Sequence, residues 1–107
     1  MTKNTIIQFV ASETNITVQE ITGTNRFREV ADARKLCMIL IKETCEDETL
    51  HSIARPFKKS HCTVLHSVQR AYDLLKTDNA FKRKYEACKS SIALHLQSNQ
   101  YLNIPQF

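Results

Sequence analysis

The sequence predicts an all-α fold: a compact bundle of about five to six helices that contains a helix-turn-helix. Three observations predict it. Chain breakers are scarce, with Gly23 the single glycine and Pro56 and Pro105 the two prolines in 107 residues, too few for the many tight turns of a sandwich. Apolar residues recur at three- and four-residue spacing over most of the chain. Two amphipathic stretches between Leu50 and Leu75 are joined by a short basic turn, Lys58-Lys59-Ser60, and the second opens with polar side chains.

Residues 3–13 place Ile6, Ile7, Phe9 and Val10 among polar neighbours, enough for one amphipathic helix that Asn15 and Thr17 interrupt. Thr17-Val18-Gln19-Glu20 has the form of a capping box and starts a very short helix ending near Gly23. Residues 27–45 form the longest clean helix, apolar nearly all round from Met38 to Ile41 and therefore central. The acidic run Glu46-Asp47-Glu48 suits the positive end of the next helix, about 49–55, which should stop before Pro56. Ser60 is the expected N-cap of the following helix, whose apolar side is Val64, Val68, Ala71, Tyr72 and Leu75. A last amphipathic helix over 79–97 carries Phe81, Tyr85, Cys88, Ile92 and Leu96. One domain is expected over 1–97, with the helix-turn-helix at about 49–76 and a C-terminal tail at 98–107.

The length is enough to bury a core without disulfides or metal. No apolar run approaches the ~20 residues that span a bilayer. The N-terminus lacks a secretory pattern, so no membrane and a cytoplasmic location are expected. Cys37, Cys45, Cys62 and Cys88 show no C-x-x-C spacing and read as reduced thiols. A zinc site built from Cys62 with His61 or His66 matches no common module, and no metal is expected. The formal net charge is +4, and its distribution says more than its sum. Residues 51–76 carry Arg55, Lys58, Lys59, Arg70 and Lys76 against Asp73 alone, a cluster suited to a polyanion.

His61 and Thr63 fall in the first turn of the helix that Ser60 caps. A helix whose first turn is polar and whose later turns are apolar can enter a DNA groove while anchored on a core. There a histidine nitrogen can bond a base edge and a threonine methyl can pack on a thymine methyl. The bland alternative is a capped helix with ordinary surface residues.

Residues 5–75 carry several elements in order: Arg26-Phe27-Arg28-Glu29-Val30-Ala31-Asp32-Ala33-Arg34, then Met38 and Lys42-Glu43, then Leu50-x-x-Ile53-x-x-x-Phe57, then His61-x-Thr63-Val64-Leu65-His66. In this order they resemble the C-terminal DNA-binding domain of the bacterial replication initiator DnaA, a helix-turn-helix bundle of the Trp-repressor kind. The last element is similar to that family's Asp-His-Thr-Thr-Val-Leu-His signature. Where the family has a Gly-Gly-Arg-Asp turn, this chain has Lys58-Lys59-Ser60, one residue shorter. Ser60 stands for a base-reading aspartate and Cys62 for the first threonine. The resemblance implies double-stranded DNA as partner, and a role in replication or transcription control. It implies base contacts from Ser60, His61 and Thr63, and from Arg26 in an adjacent narrow minor groove whose deep negative potential attracts guanidinium. Phosphate contacts are expected from Arg28, Arg34, Lys42, Lys58, Lys59 and His66. No P-loop is present, so no nucleotide or other cofactor is expected, and the module reads as standing alone without the family's ATPase domain.

Two other readings compete. A protein-interaction module on the same scaffold, base reading lost, would use Phe81, Tyr85 and Ile92 of the last helix to hold a partner or a second copy. An enzyme would need Cys62 and His61 as nucleophile and base. Adjacent helical residues point about 100° apart and no glycine-rich loop accompanies them, so no enzyme is expected.

Overall fold

The computed structural model describes the backbone of residues 2–103 and the side chains of residues 2–96. Among the described residues the chain forms six α-helices and one 3₁₀ turn. They are α1 (Lys3–Thr14), α2 (Val18–Thr22), α3 (Arg28–Thr44), α4 (Leu50–Ala54), the 3₁₀ turn Arg55–Phe57, α5 (His61–Thr77) and α6 (Asn79–Asn103). The all-α bundle with its helix-turn-helix is therefore the architecture adopted.

Local chemistry sets most boundaries. Thr2 caps α1 by accepting the Thr5 N–H at 3.3 Å, and Asn15 ends it in the left-handed region at φ 58°. The capping box of α2 is complete: the Thr17 hydroxyl accepts the Glu20 N–H at 3.1 Å, and the Glu20 carboxylate accepts the Thr17 N–H at 3.4 Å. Gly23 follows because a β-carbon there would lie 2.9 Å from the Gln19 carbonyl oxygen. Thr49 caps α4, and Asp78 opens α6 by accepting the N–H groups of Ala80 and Phe81 at 3.0 and 3.2 Å.

Helix α3 is the hub. It buries Val30, Ala33 and every residue from Leu36 to Ile41, and it packs against all five other helices. Four buried residues of α5 (Val64, Val68, Ala71 and Leu74) join Ile53, Ala54 and Phe57 of the preceding segment in one core with Ile6, Ile7 and Val10 of α1. No disulfide links the four cysteines, all of which are described. Burial, with the Glu13 carboxylate adding to it, pushes the Cys88 thiol up to about 12, so it acts as a small hydrophobe.

Two expectations need correction. The backbone remains helical through Asn103, so positions 98–103 extend α6 and are not a separate tail; positions 104–107 lie outside the described residues. Tyr72 is not a core residue: it is 40% exposed, while Leu74 is buried. The two flank the α5 stripe on opposite sides; α6 turns back directly after Asp78 and packs along α5, and burial falls on Leu74. Helix α4 stops before Pro56 as expected, and the chain continues as a 3₁₀ turn, which a proline near its start tolerates.

Candidate nucleic-acid interface

The segment α4, 3₁₀ turn and α5 is anchored from behind. Ile53, Phe57 and Val64 are each at most 1% exposed, and Lys58 through Thr63 between them are all exposed. Lys58 closes the 3₁₀ turn in the left-handed region at φ 54°, its N–H donating to the Arg55 carbonyl at 3.1 Å. The Lys59 N–H donates to the Ala54 carbonyl at 3.2 Å. Both lysine ammonium groups thereby leave the body of the protein without an ion pair within 4 Å among the described residues.

Ser60 is the N-cap of α5, its hydroxyl accepting the Thr63 N–H at 3.2 Å. The two hydroxyls lie 3.0 Å apart, so the cap also orients Thr63. The His61 ring packs on the ring of His51, from the first turn of α4, with centroids 4.2 Å apart and planes tilted by 36°. Cys62 Sγ lies 3.6 Å from His61 Nε2, so the two side chains meet despite the helical divergence expected of neighbours. No group of three histidine, cysteine or acidic side chains among the described residues has a metal-holding arrangement. By helical geometry Cys62, His66 and Gln69 face directly away from the buried stripe, and all three are exposed.

The charge around the α5 N-terminus is mainly positive, with Asp73 the one acidic residue of α5. Arg55, Lys58, Lys59 and Arg70 are exposed, whereas Glu46 and Asp47 sit exposed on the loop between α3 and α4. A polyanion approaching the α5 N-terminus would meet these exposed cations, reinforced by the helix dipole.

The remaining candidates are dispersed. Asn25 Oδ1 accepts the Phe27 N–H at 2.9 Å, a tight turn with Arg26 exposed at its tip. That loop follows α2, which packs against the 3₁₀ turn. Arg28 opens α3 and lies 3.9 Å from Asp32 and 3.6 Å from Asp78, with most of its side chain in solvent. Lys42 is exposed in the last turn of α3, about 21 Å along the helix from Arg28. His66 is exposed on the outer face of α5.

Arg34 does something else. Its Nε donates to the Ile21 carbonyl at 2.7 Å, and its Nη2 reaches the carbonyls of Glu20, Gly23 and Asn25 at 3.2, 3.1 and 3.1 Å. Partial burial lowers its pKa. The guanidinium fork is spent on the backbone that carries Arg26, which corrects the expectation of a phosphate contact. The last helix needs a similar correction. Phe81 and Ile92 are each 3% exposed, and the Tyr85 hydroxyl donates to Glu43 at 2.6 Å, so this face is used inside the fold and is not open to a partner. His51 is the residue sequence reasoning missed. It lies ten positions from His61 in another helix, and no period connects them.

A family model described as bacterial dnaA protein helix-turn-helix matches residues 3–71. The chain is 36% identical over 78 residues to the chromosomal replication initiator protein DnaA of Aquifex aeolicus (strain VF5), covering 72% of this chain and 19% of that protein. It is 32% identical over 89 residues to the chromosomal replication initiator protein DnaA 2 of Chlamydia muridarum (strain MoPn / Nigg), covering 83% of this chain and 19% of that one. It is 39% identical over 70 residues to the chromosomal replication initiator protein DnaA of Rickettsia canadensis (strain McKiel), covering 64% and 15%. The chain thus spans 15–19% of the length of these relatives.

Proposed function

Because the chain belongs to the bacterial DnaA helix-turn-helix family, we propose that it is a sequence-preferring double-stranded DNA-binding module serving replication or transcription control. The N-terminal turn of α5 enters the major groove, where Ser60, His61 and Thr63 read base edges and the Ser60 cap also holds Thr63 in place. Arg26 reaches the adjacent minor groove. Lys58, Lys59, Lys42, Arg28 and His66 supply phosphate contacts, which set affinity and register but carry no sequence information. Arg34 braces the Arg26 loop. Helix α6 completes the folded unit, which extends over residues 1–97 and onward through α6.

One observation carries the reading: six consecutive exposed residues, Lys58 to Thr63, are held between the buried Phe57 and Val64. A rigid, solvent-facing, basic first turn is what groove entry requires. The test is selection of duplexes from a random library by the full chain at about 0.15 M salt, where nonspecific binding is weak. An enriched motif with an A·T-rich flank is expected. His61→Ala or Thr63→Ala should erase the preference, each discriminating contact being worth about 1–3 kcal/mol, while Lys59→Ala should weaken all duplexes alike. No enrichment over bulk polyanion would overturn the proposal.

A further inference from the structure

We infer that His51 is a positioning residue for base reading: its ring, stacked on His61, fixes the direction in which His61 presents its nitrogens to the groove. The inference rests on the proposed reading of α5 and deepens it.

The geometry supports it from both sides of the contact. His61 is the first residue of α5 and is exposed, so the core alone does not hold its ring. An unsupported side chain there would surrender rotamer freedom on engaging a base, and a preorganised one surrenders less. Beside the Cys62 Sγ that lies 3.6 Å from His61 Nε2, the His51 ring supplies a wall, its centroid 4.2 Å from that of the His61 ring and its plane 36° from parallel, a close tilted contact.

That wall is itself tied down. Thr49 caps α4 by accepting the Ser52 N–H at 3.2 Å, and the Ser52 hydroxyl donates to the Glu48 carboxylate. Lys3 of α1 donates to the Ser52 carbonyl at 2.9 Å and lies 3.5 Å from Glu48. The first turn of α4, which carries His51, is thus fastened to α1. The angle between α4 and α5 is set by the buried Ile53, Ala54, Phe57 and Val64. Both rings are exposed, so the stack is not part of the core, and its loss should leave the fold standing.

The experiment uses the full chain, the duplex that the wild-type chain enriches, and a scrambled duplex of the same composition. His51→Ala should reduce the preference ratio on the order of tenfold while leaving the affinity for the scrambled duplex and the salt dependence unchanged. His51→Phe, which keeps a ring but no nitrogen, should restore the ratio. In the free protein the His61 ring-proton resonances should move when His51 becomes Ala and return toward the wild-type position with Phe. An unchanged ratio in His51→Ala would overturn the inference and leave the DNA reading intact. Equal weakening on both duplexes would make His51 a phosphate contact, and failure of Phe to rescue would make it a direct base contact; either overturns the positioning role. Failure of the wild-type chain to enrich any duplex would sink the DNA reading itself, and this inference with it.

Discussion

Replacing Arg34 by Ala removes guanidinium hydrogen bonds to four backbone carbonyls between Glu20 and Asn25. A hydrogen bond to a charged group contributes about 1.5–3 kcal/mol, and several here share one side chain, so a loss of about 2–3 kcal/mol in urea unfolding is expected. Arg34→Lys should recover little of it, because one ammonium cannot reproduce a planar fork. A folded Arg34 variant should keep the wild-type salt dependence of DNA binding; a reduced slope would return Arg34 to the phosphate set. Sequence alone could not separate these roles. Arg34 sits among family-like basic residues, and only contacts spanning 9 to 14 positions of chain reveal what its fork holds.

At the scale of the elements, the turn into α5 departs from its family in a way the backbone explains. The relatives' glycine pair suits a left-handed residue, and here Lys58 occupies φ 54°. A side chain in that region costs about 1–2 kcal/mol, so Lys58→Gly should raise stability by roughly 1 kcal/mol while weakening binding to every duplex. Thermal unfolding and a salt titration would check both halves. Helix α6 was legible in the sequence as an amphipathic helix but not as part of the core. Ile92 is 3% exposed, so Ile92→Ala should cost about 2–5 kcal/mol. A change near zero would mean that α6 does not hold its place on α1 and α5. Periodicity reports that a helix has an apolar face; it does not say which neighbour, within the chain or outside it, covers that face.

For the molecule as a whole, acid sensitivity should concentrate where α1 meets α4. The Ser52 hydroxyl hydrogen bond, and then Lys3, hold the Glu48 carboxyl below the usual glutamate range. A folded-state pKa below the unfolded one stabilises the fold at pH above the unfolded value, about 4.3, and that contribution disappears as pH falls through the folded value. Glu48→Gln should therefore flatten the decline in stability below about pH 5 and change little at pH 7 beyond the lost interaction itself. An unaltered acid limb would remove Glu48 from the α1–α4 tether. The exposed lysines of the turn before α5 also predict DNA association rates that fall steeply with ionic strength.

By itself the sequence determined what is local. Caps at Thr17 and Ser60, the all-round apolar run of α3, and the polar first turn of α5 each depend on residues within a few positions of one another, where helix geometry is fixed. The tertiary structure alone decided which distant residues meet. It turned Arg34 onto the loop, buried Leu74 in place of Tyr72, folded Phe81 and Ile92 into the core, and brought His51 to His61. Such pairings follow from how helices pack against one another, and the packing depends on the shapes of all their faces at once.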